Sequence, residues 1–193
     1  MAGESPLVEL AAWIKQAEDA GEPEPFAMTL ATATSDGRPS ARIVLCRGID
    51  ERGLRFFTNY ESRKGRDLED NPRAALVFHW VRLGRQARVE GIATKLSSDE
   101  SDDYFRKRPR GHQISAHASP QSRPIPSLAD LHERVAEIAA QYEGKDVPRP
   151  DRWGGFRVVP DAIELFAMGA DRVHDRARFD WRGGIWTRTQ LGP

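Results

Sequence analysis

Apolar positions recur along this chain with two different periods. Near the start, Leu7, Leu10, Ala11 and Ile14 fall three and four residues apart, the spacing of one helical face. Ser5 supplies an N-cap and Pro6 a first-turn proline, so a helix is expected from Pro6 to about Gly21, ahead of Glu22-Pro23-Glu24-Pro25. Strand-like runs then follow: Ala27–Thr34, Ser40–Arg47, Leu54–Asn59, Ala74–Val81 and Gln86–Leu96. Ser35-Asp36-Gly37 and Gly48–Gly53 read as turns, and Ser62–Leu68 as a short helix closed by Asn71-Pro72. Ser97-Ser98-Asp99-Glu100 resembles a capping box before Tyr104 and Phe105. Pro109, Gly111 and the stretch Ser119–Pro126 read as loop. Leu128, Leu131, Val135 and Ile138 mark a helix over Leu128–Tyr142. Four further strands are expected at Phe156–Val159, Ile163–Met168, Arg172–Trp181 and Ile185–Thr189. The pattern predicts a mainly β protein with flanking helices, an antiparallel barrel or sandwich in one domain over residues 1–193.

Composition narrows the function classes. Of 193 residues, 39% are hydrophobic and 30% charged, which fits a soluble globular protein with one sizeable core. The formal net charge is zero, so no strong field draws the chain to nucleic acid or a membrane surface. No apolar run approaches the roughly 20 residues of a membrane span, and no leader pattern is read over Met1–Leu10. Cys46 is the single cysteine, which excludes an intrachain disulfide and makes a reducing cytoplasm the default. The five histidines show no zinc-ligand spacing, so no metal is expected, and neither a Gly-x-Ser-x-Gly nor a P-loop occurs. Reactive chemistry here would come from a cofactor.

Several segments collect groups suited to an anion. As a strand, Arg172-Val173-His174-Asp175-Arg176 would line one face with Arg172, His174 and Arg176. Two guanidiniums around an imidazole suit an anion or a ring that gains negative charge. Arg42 alternates with Val44 and Cys46, so it shares a face with apolar residues and needs a partner. That partner is either an ordinary ion pair or a bound phosphate. Ser62-Arg63-Lys64 stands at a helix start, where free N–H groups and the dipole favour anions. Tyr104 and Arg108 lie four apart, placing a hydroxyl and a guanidinium on one helical face. Gln86, Gln121 and Ser122 offer donors and acceptors for a heterocycle edge.

Taken in order, Arg42-Ile43-Val44-Leu45, Phe57-Thr58-Asn59, Ser62-Arg63-Lys64, Asn71-Pro72, Arg85-Gln86, Arg108-Pro109-Arg110, Gln121-Ser122, Trp153-Gly154-Gly155-Phe156 and Arg172-Val173-His174-Asp175-Arg176 resemble the pyridoxine/pyridoxamine 5′-phosphate oxidases. The resemblance runs from about Pro6 to Pro193. It implies an FMN-binding split β-barrel that forms a homodimer with FMN at the interface. By matching position it places Arg42, Ile43, Val44, Leu45, Phe57, Thr58, Arg63, Lys64, Gln86, Gln121, Ser122, Phe166 and Arg176 around FMN. It places Arg47, Tyr104, Arg108 and His112 around the substrate phosphate, and Arg172 and His174 as the catalytic pair at the pyridine ring and reacting carbon. The implied reaction moves a hydride from C4′ of the phosphorylated pyridine substrate to the flavin, with O2 reduced to hydrogen peroxide.

Three positions depart from the family pattern: Arg47 stands for its usual lysine, His112 for a serine and Phe166 for a tryptophan. The family's N-terminal lid, with an Arg and a Tyr, is not expected, because the sequence starts almost at its first helix. Related flavin oxidases that act on phenazine precursors are therefore the alternative, followed by a flavin or B6-phosphate binder without turnover. Tyr104 and Arg108 favour a phosphorylated substrate.

Overall fold

The structure, a computed structural model, describes residues 5–193. Residues 1–4, part of the stretch read for a leader, lie outside the described residues. Helix α1 spans Pro6–Asp19, with the Ser5 hydroxyl accepting from the Leu7 N–H. Its buried stripe of Leu7, Leu10, Trp13, Ile14 and Ala17 follows the helical spacing and packs into the main core.

Strands β1 (Ala27–Ala33), β2 (Pro39–Leu45), β3 (Gly48–Asp50), β4 (Gly53–Asn59), β5 (Arg73–Trp80), β6 (Arg85–Lys95), β7 (Trp153–Ala167), β8 (Asp175–Arg182) and β9 (Ile185–Gln190) join in one antiparallel sheet. Its path runs β2-β1-β5-β6-β7-β4-β3, with β8 and β9 attached to β7. Inward positions alternate strictly along β1 and β5, and Leu30, Leu76, Phe78, Val89 and Phe156 fill the interior. The sheet curls into a half-barrel rather than stacking as a sandwich.

Strand β7 organises the sheet. The sequence suggests two short strands around Pro160, but one strand runs through it. Gly91 pairs with Pro160 and Glu90 with Ala162, so Asp161 is the extra residue of a bulge. The bulge tolerates a proline inside a long strand. A Cβ on Gly91 would meet the Val159 carbonyl oxygen at 2.2 Å, so only glycine lets the strands close there. On its other edge β7 carries β4 over residues 153–158 and β8 over residues 162–167, so the sheet divides at the bulge.

Helices α2 (Arg63–Asp70), α3 (Ser98–Arg106), α4 (Arg110–Ala118) and α5 (Leu128–Gln141) complete the fold. The capping box at Ser97 and Glu100 is formed. A smaller core of Phe105, Ile114, Val147 and Trp153 joins α3 and α4 to β7, with Val135 and Ile138 of α5 packed against it. Among the described residues no helix is long and apolar enough to cross a membrane.

Four local expectations are corrected. Gly48–Asp50 pairs with β4 as a short strand inside the expected turn. Gly111, read as loop, lies in α4, which starts directly after Pro109. The strand expected from Ser40 to Arg47 ends at Leu45, because the Cys46 N–H turns to the Phe26 carbonyl and the Arg47 N–H to Arg55. The strand expected from Arg172 starts only at Asp175. Asp171 and Arg172 have φ of 50° and 63°, in the left-handed region, and the Val173 N–H closes a turn on the Ala170 carbonyl.

Candidate active site

A cavity of about 560 Å³ opens beside β2, the edge strand of the sheet. Arg42, Ile43, Val44 and Leu45 of β2 line it, with Arg47 just beyond the strand. Phe57 and Thr58 come from the end of β4, Lys64 from α2, and Tyr104, Lys107, Arg108, Pro109 and His112 from the α3–α4 corner. Gln121 and Trp153 close it. Five of these side chains are cations, Arg42, Arg47, Lys64, Lys107 and Arg108, and none is a carboxylate.

The cations sit where the fold alone would not put them. Helix α2 reads Arg-Lys-Gly-Arg-Asp-Leu-Glu-Asp, with bases at its positive end and acids at its negative end. That order opposes the helix dipole and makes sense when an anion sits at the N-terminus. Ser62 caps the helix by accepting from the Gly65 N–H. A Cβ on Gly65 would lie 2.0 Å from the Tyr60 carbonyl oxygen, so glycine alone lets this turn pack against β4. Lys64 Nζ donates only to neutral oxygens: Thr58 Oγ1 at 3.2 Å, Ser62 Oγ at 3.4 Å and Gln121 Oε1 at 3.4 Å. Burial, with Arg42 nearby, lowers its pKa to about 8. Arg42 has the ordinary ion pair weighed from sequence, with Asp67 at 3.7 Å. Burial lowers its pKa, Asp67 opposes that, and Arg63 adds to it.

The wall opposite is aromatic. Tyr104 stacks on Phe57 at 3.8 Å between centroids, and Phe57 on Trp153 at 5.6 Å. The Arg108 guanidinium lies 4.4 Å from the Trp153 ring, and its Nη1 is buried with no hydrogen-bond partner among the described residues. Burial lowers its pKa, Tyr104 opposes this, and Arg47 adds to the lowering. Tyr104 and Arg108 do meet in the cavity, but not on one helical face: α3 ends at Arg106, and Arg108 hangs from the loop that follows.

Seven expected site residues lie outside this cavity. Arg63 is exposed at the first position of α2, and Ser122 sits in a turn beside Gln121 with φ of 66°. The other five form a second cluster. Gln86 pairs with Phe166 and Phe166 with Arg176 across β6, β7 and β8. The His174 ring lies 4.8 Å from Phe166, and its Nδ1 accepts from the Gly169 N–H at 3.2 Å. Arg176 donates to buried Glu164 at 2.8 and 3.0 Å. Arg172 is exposed in the turn, so it does not share a strand face with His174 and Arg176. Phe57 pairs with Gly155 and Gln86 with Phe166, eleven residues further along β7, roughly 35 Å at a strand rise of about 3.3 Å per residue. The expected site residues therefore fall into two separate groups in one copy of the chain.

Lys107, Pro109 and Trp153 line the cavity without having been picked out as site residues. Lys107 stands inside the basic run around Arg108 and was legible there. Trp153 reaches the site only through its pairing with Asn59 across β4 and β7.

Residues 14–142 match the sequence profile of the family described as pyridoxamine 5′-phosphate oxidase. The chain belongs to this family. Residues 153–193 match the profile of the pyridoxine 5′-phosphate oxidase C-terminal dimerisation region. Four members of the second cluster, Phe166, Arg172, His174 and Arg176, lie inside that region, which also exposes Met168, Val173, Trp181 and Ile185. A relative in Paraburkholderia phymatum named pyridoxine/pyridoxamine 5′-phosphate oxidase is 54% identical, covering 98% of this chain and 89% of its own length. One of the same name in Salinibacter ruber is 51% identical over 98% of this chain and 90% of its own. Among solved structures, PhzG from Burkholderia lata 383, in complex with tetrahydrophenazine-1-carboxylic acid, superposes with a TM-score of 0.95. It is 37% identical and covers 99% of this chain and 94% of PhzG. A pyridoxamine 5′-phosphate oxidase-related, FMN binding protein from Nostoc punctiforme superposes with a TM-score of 0.78 at 17% identity, covering 99% and 100% of the two chains. As in that neighbour, the fold of this family member is a split β-barrel.

Proposed function

We propose that this chain is an FMN-dependent oxidase that converts pyridoxamine or pyridoxine 5′-phosphate to pyridoxal 5′-phosphate, with O2 reduced to hydrogen peroxide. The observation that carries the reading is the cavity with five cations, no carboxylate and an aromatic wall. Arg42, Lys64 and Arg108 are partly buried, and among the described residues only Arg42 has a carboxylate, Asp67, within ion-pair distance. Cations held this way are costly unless an anion joins them. Two phosphorylated, ring-bearing ligands suit that donor set. When bound, FMN supplies the hydride acceptor and the path of electrons to dioxygen.

The residues divide the work by position. Arg42, Lys64 and the N-terminus of α2, with Arg63 beside them, would hold the FMN phosphate. Ile43, Val44 and Leu45 lie on a sheet edge that no further strand covers among the described residues, and would run along the cofactor with Phe57, Thr58, Gln121 and Ser122. Arg47, Tyr104, Arg108 and His112 would take the substrate phosphate. In a homodimer, the Gln86–Phe166–Arg176 cluster of one copy completes the cavity of the other and delivers Arg172 and His174 to it. The separation of the two groups and the match to a dimerisation region support this arrangement. His174 Nδ1 is occupied as an acceptor, so the neutral ring carries its proton on Nε2, the atom left to orient substrate or exchange a proton. Arg172 would stabilise negative charge at the reacting centre. The same reading places the enzyme in the cytoplasm, where the lone buried thiol of Cys46 stays reduced.

The test is FMN uptake followed by anaerobic bleaching with a substrate panel. The expected result is a yellow protein bleached by pyridoxamine 5′-phosphate, which releases peroxide on admitting air. A protein that takes up no FMN sinks the proposal. The likeness to PhzG favours one other reading, a flavin oxidase for a phenazine-type precursor. Bleaching by a dihydrophenazine carboxylate, with none by the B6 phosphates, would establish it instead.

Lys64 makes cofactor binding pH-dependent. Its pKa of about 8 means that it is charged in the ligand-free protein below pH 8 and neutral above. A phosphate dianion favours the charged form, so binding above pH 8 draws in a proton. FMN affinity, followed by quenching of flavin fluorescence, is expected to be level near pH 7 and to fall towards tenfold per pH unit above about 8. Lys64→Met should bind more weakly at every pH and lose this slope. For folding, the depressed pKa means that the ligand-free protein gains stability from this group as pH rises from about 8 to 10.5, where only the unfolded chain keeps the proton.

A further inference from the structure

Beneath the cavity, α2 carries a carboxylate that the residues around FMN do not include. Asp67 is 6% exposed. Its Oδ2 accepts from Thr32 Oγ1 at 2.6 Å, and Thr32 is itself buried on β1. Thr32 Oγ1 in turn accepts from Arg42 Nη1 at 2.8 Å. Arg42 Nη2 lies 3.7 Å from Asp67 Oδ2. The direction of this chain is forced. An ionised carboxylate can only accept, so the single Thr32 proton points at Asp67 and the hydroxyl turns a lone pair to the guanidinium. Arg42 also donates from Nη1 to the Leu30 carbonyl at 3.2 Å and from Nη2 to Ser40 Oγ at 2.9 Å. Three of its five N–H groups are thereby fixed, and Nε–H with one Nη2–H remain for a ligand.

We infer that Asp67, through Thr32, is a positioning residue that holds Arg42 in the orientation that receives the FMN phosphate. The inference rests on the FMN reading of the cavity. Asp67 never touches the ligand. It ties α2, which brings Lys64, to β1 and β2, which bring Arg42, so both phosphate-binding cations are set by one buried link. Asp67 is also the one carboxylate within ion-pair distance of Arg42 among the described residues, with Arg63 and Lys64 acting on Arg42 or responding to it as like charges. Losing it leaves three neighbouring cations without a counter-charge, and Arg42 held only by the Leu30 carbonyl, the Ser40 hydroxyl and a Thr32 hydroxyl no longer oriented by a carboxylate.

The experiment is fluorescence titration of the stripped, full-length protein with FMN, in a cycle of Asp67→Asn and Arg42→Ala. Asparagine keeps the size but turns an amide donor or a weaker acceptor towards the hydroxyl. Asp67→Asn is expected to weaken FMN binding about tenfold, the scale of a hydrogen bond to a charged group. In the Arg42→Ala background the same change should alter the dissociation constant less than twofold. Thr32→Val breaks the link from the other side. It should reproduce the loss without adding to it in the double variant, and Thr32→Ser should restore wild-type affinity. An Asp67→Asn protein that binds FMN like wild type overturns the inference. So does an equal loss in both Arg42 backgrounds, which would show Asp67 acting on the fold of α2 rather than on Arg42. If the wild-type protein takes up no FMN, the FMN reading itself falls and the inference falls with it.

Discussion

Replacing Arg172 by alanine is expected to lower kcat about 10²–10³-fold, the scale seen when one donor to developing negative charge is removed. The dissociation constant for FMN should change less than twofold. The separation of these two effects follows from where the residue sits. Arg172 is exposed, in a turn after β7, and contributes to neither the sheet pairing nor the core. Its backbone is left-handed, with φ of 63°, and so is that of Asp171 before it, with φ of 50°. Non-glycine residues accept such conformations at a cost of order 1–3 kcal/mol where the surrounding structure over-determines them, and they cluster at functional sites. The exposed guanidinium of Arg172 is available to the second copy of the proposed homodimer. Steady-state peroxide release with pyridoxamine 5′-phosphate reads kcat, and equilibrium titration reads FMN affinity. If both fall together, Arg172 belongs to the cofactor site and the division of labour proposed for the two half-sites is wrong.

Changing Arg108 to methionine is expected to raise KM for the phosphorylated substrate about 10²-fold while raising the melting temperature of the ligand-free protein. Arg108 is half buried over Trp153, with one nitrogen lacking any partner among the described residues. Burial depresses its pKa and Arg47 adds to that, which are the marks of a charge held against the preference of the empty fold. Methionine keeps the packing on Trp153 and removes the desolvated charge. A gain of about 1 kcal/mol would appear as roughly 2–4 °C in a chain of this size. The loss in KM corresponds to a charge-assisted contact with phosphate. Opposed effects on stability and binding distinguish a ligand-gripping cation from a structural one. A variant with lower melting temperature and unchanged KM would show that Arg108 serves the fold.

Much of this is legible in the sequence. Leu7, Leu10 and Ile14 of α1 bury as their spacing predicts, and β1 and β5 form where strands are expected, their side chains alternating between core and surface. The basic positions around the cavity could be named from ordered motifs. What misled was local. Arg172 and His174 look like alternating strand residues, but periodicity over five residues cannot reveal two left-handed backbone turns. Arg108 looks helical at four residues from Tyr104, but α3 stops at Arg106 and a new helix starts after Pro109. The strand signal around Pro160 broke in two because a proline lacks a ladder donor, and only the partner strand's bulge at Gly91 absorbs that defect.

The sequence by itself determined most of the helices and strands, though not α4, β3 or the continuity of β7, together with the family and most of the residues that carry charge to the cavity, since each depends on side-chain type and short spacing. Only the tertiary structure decided which of those residues meet. Trp153 becomes the support of Arg108 through pairing of β4 with β7, and Asp67 comes to lie under Arg42 because α2 packs on β1. The predicted site itself divides into two groups because β7 is one long strand that carries them at opposite ends. Such contacts join residues distant along the chain, and their strength lies in burial and geometry that no local pattern encodes.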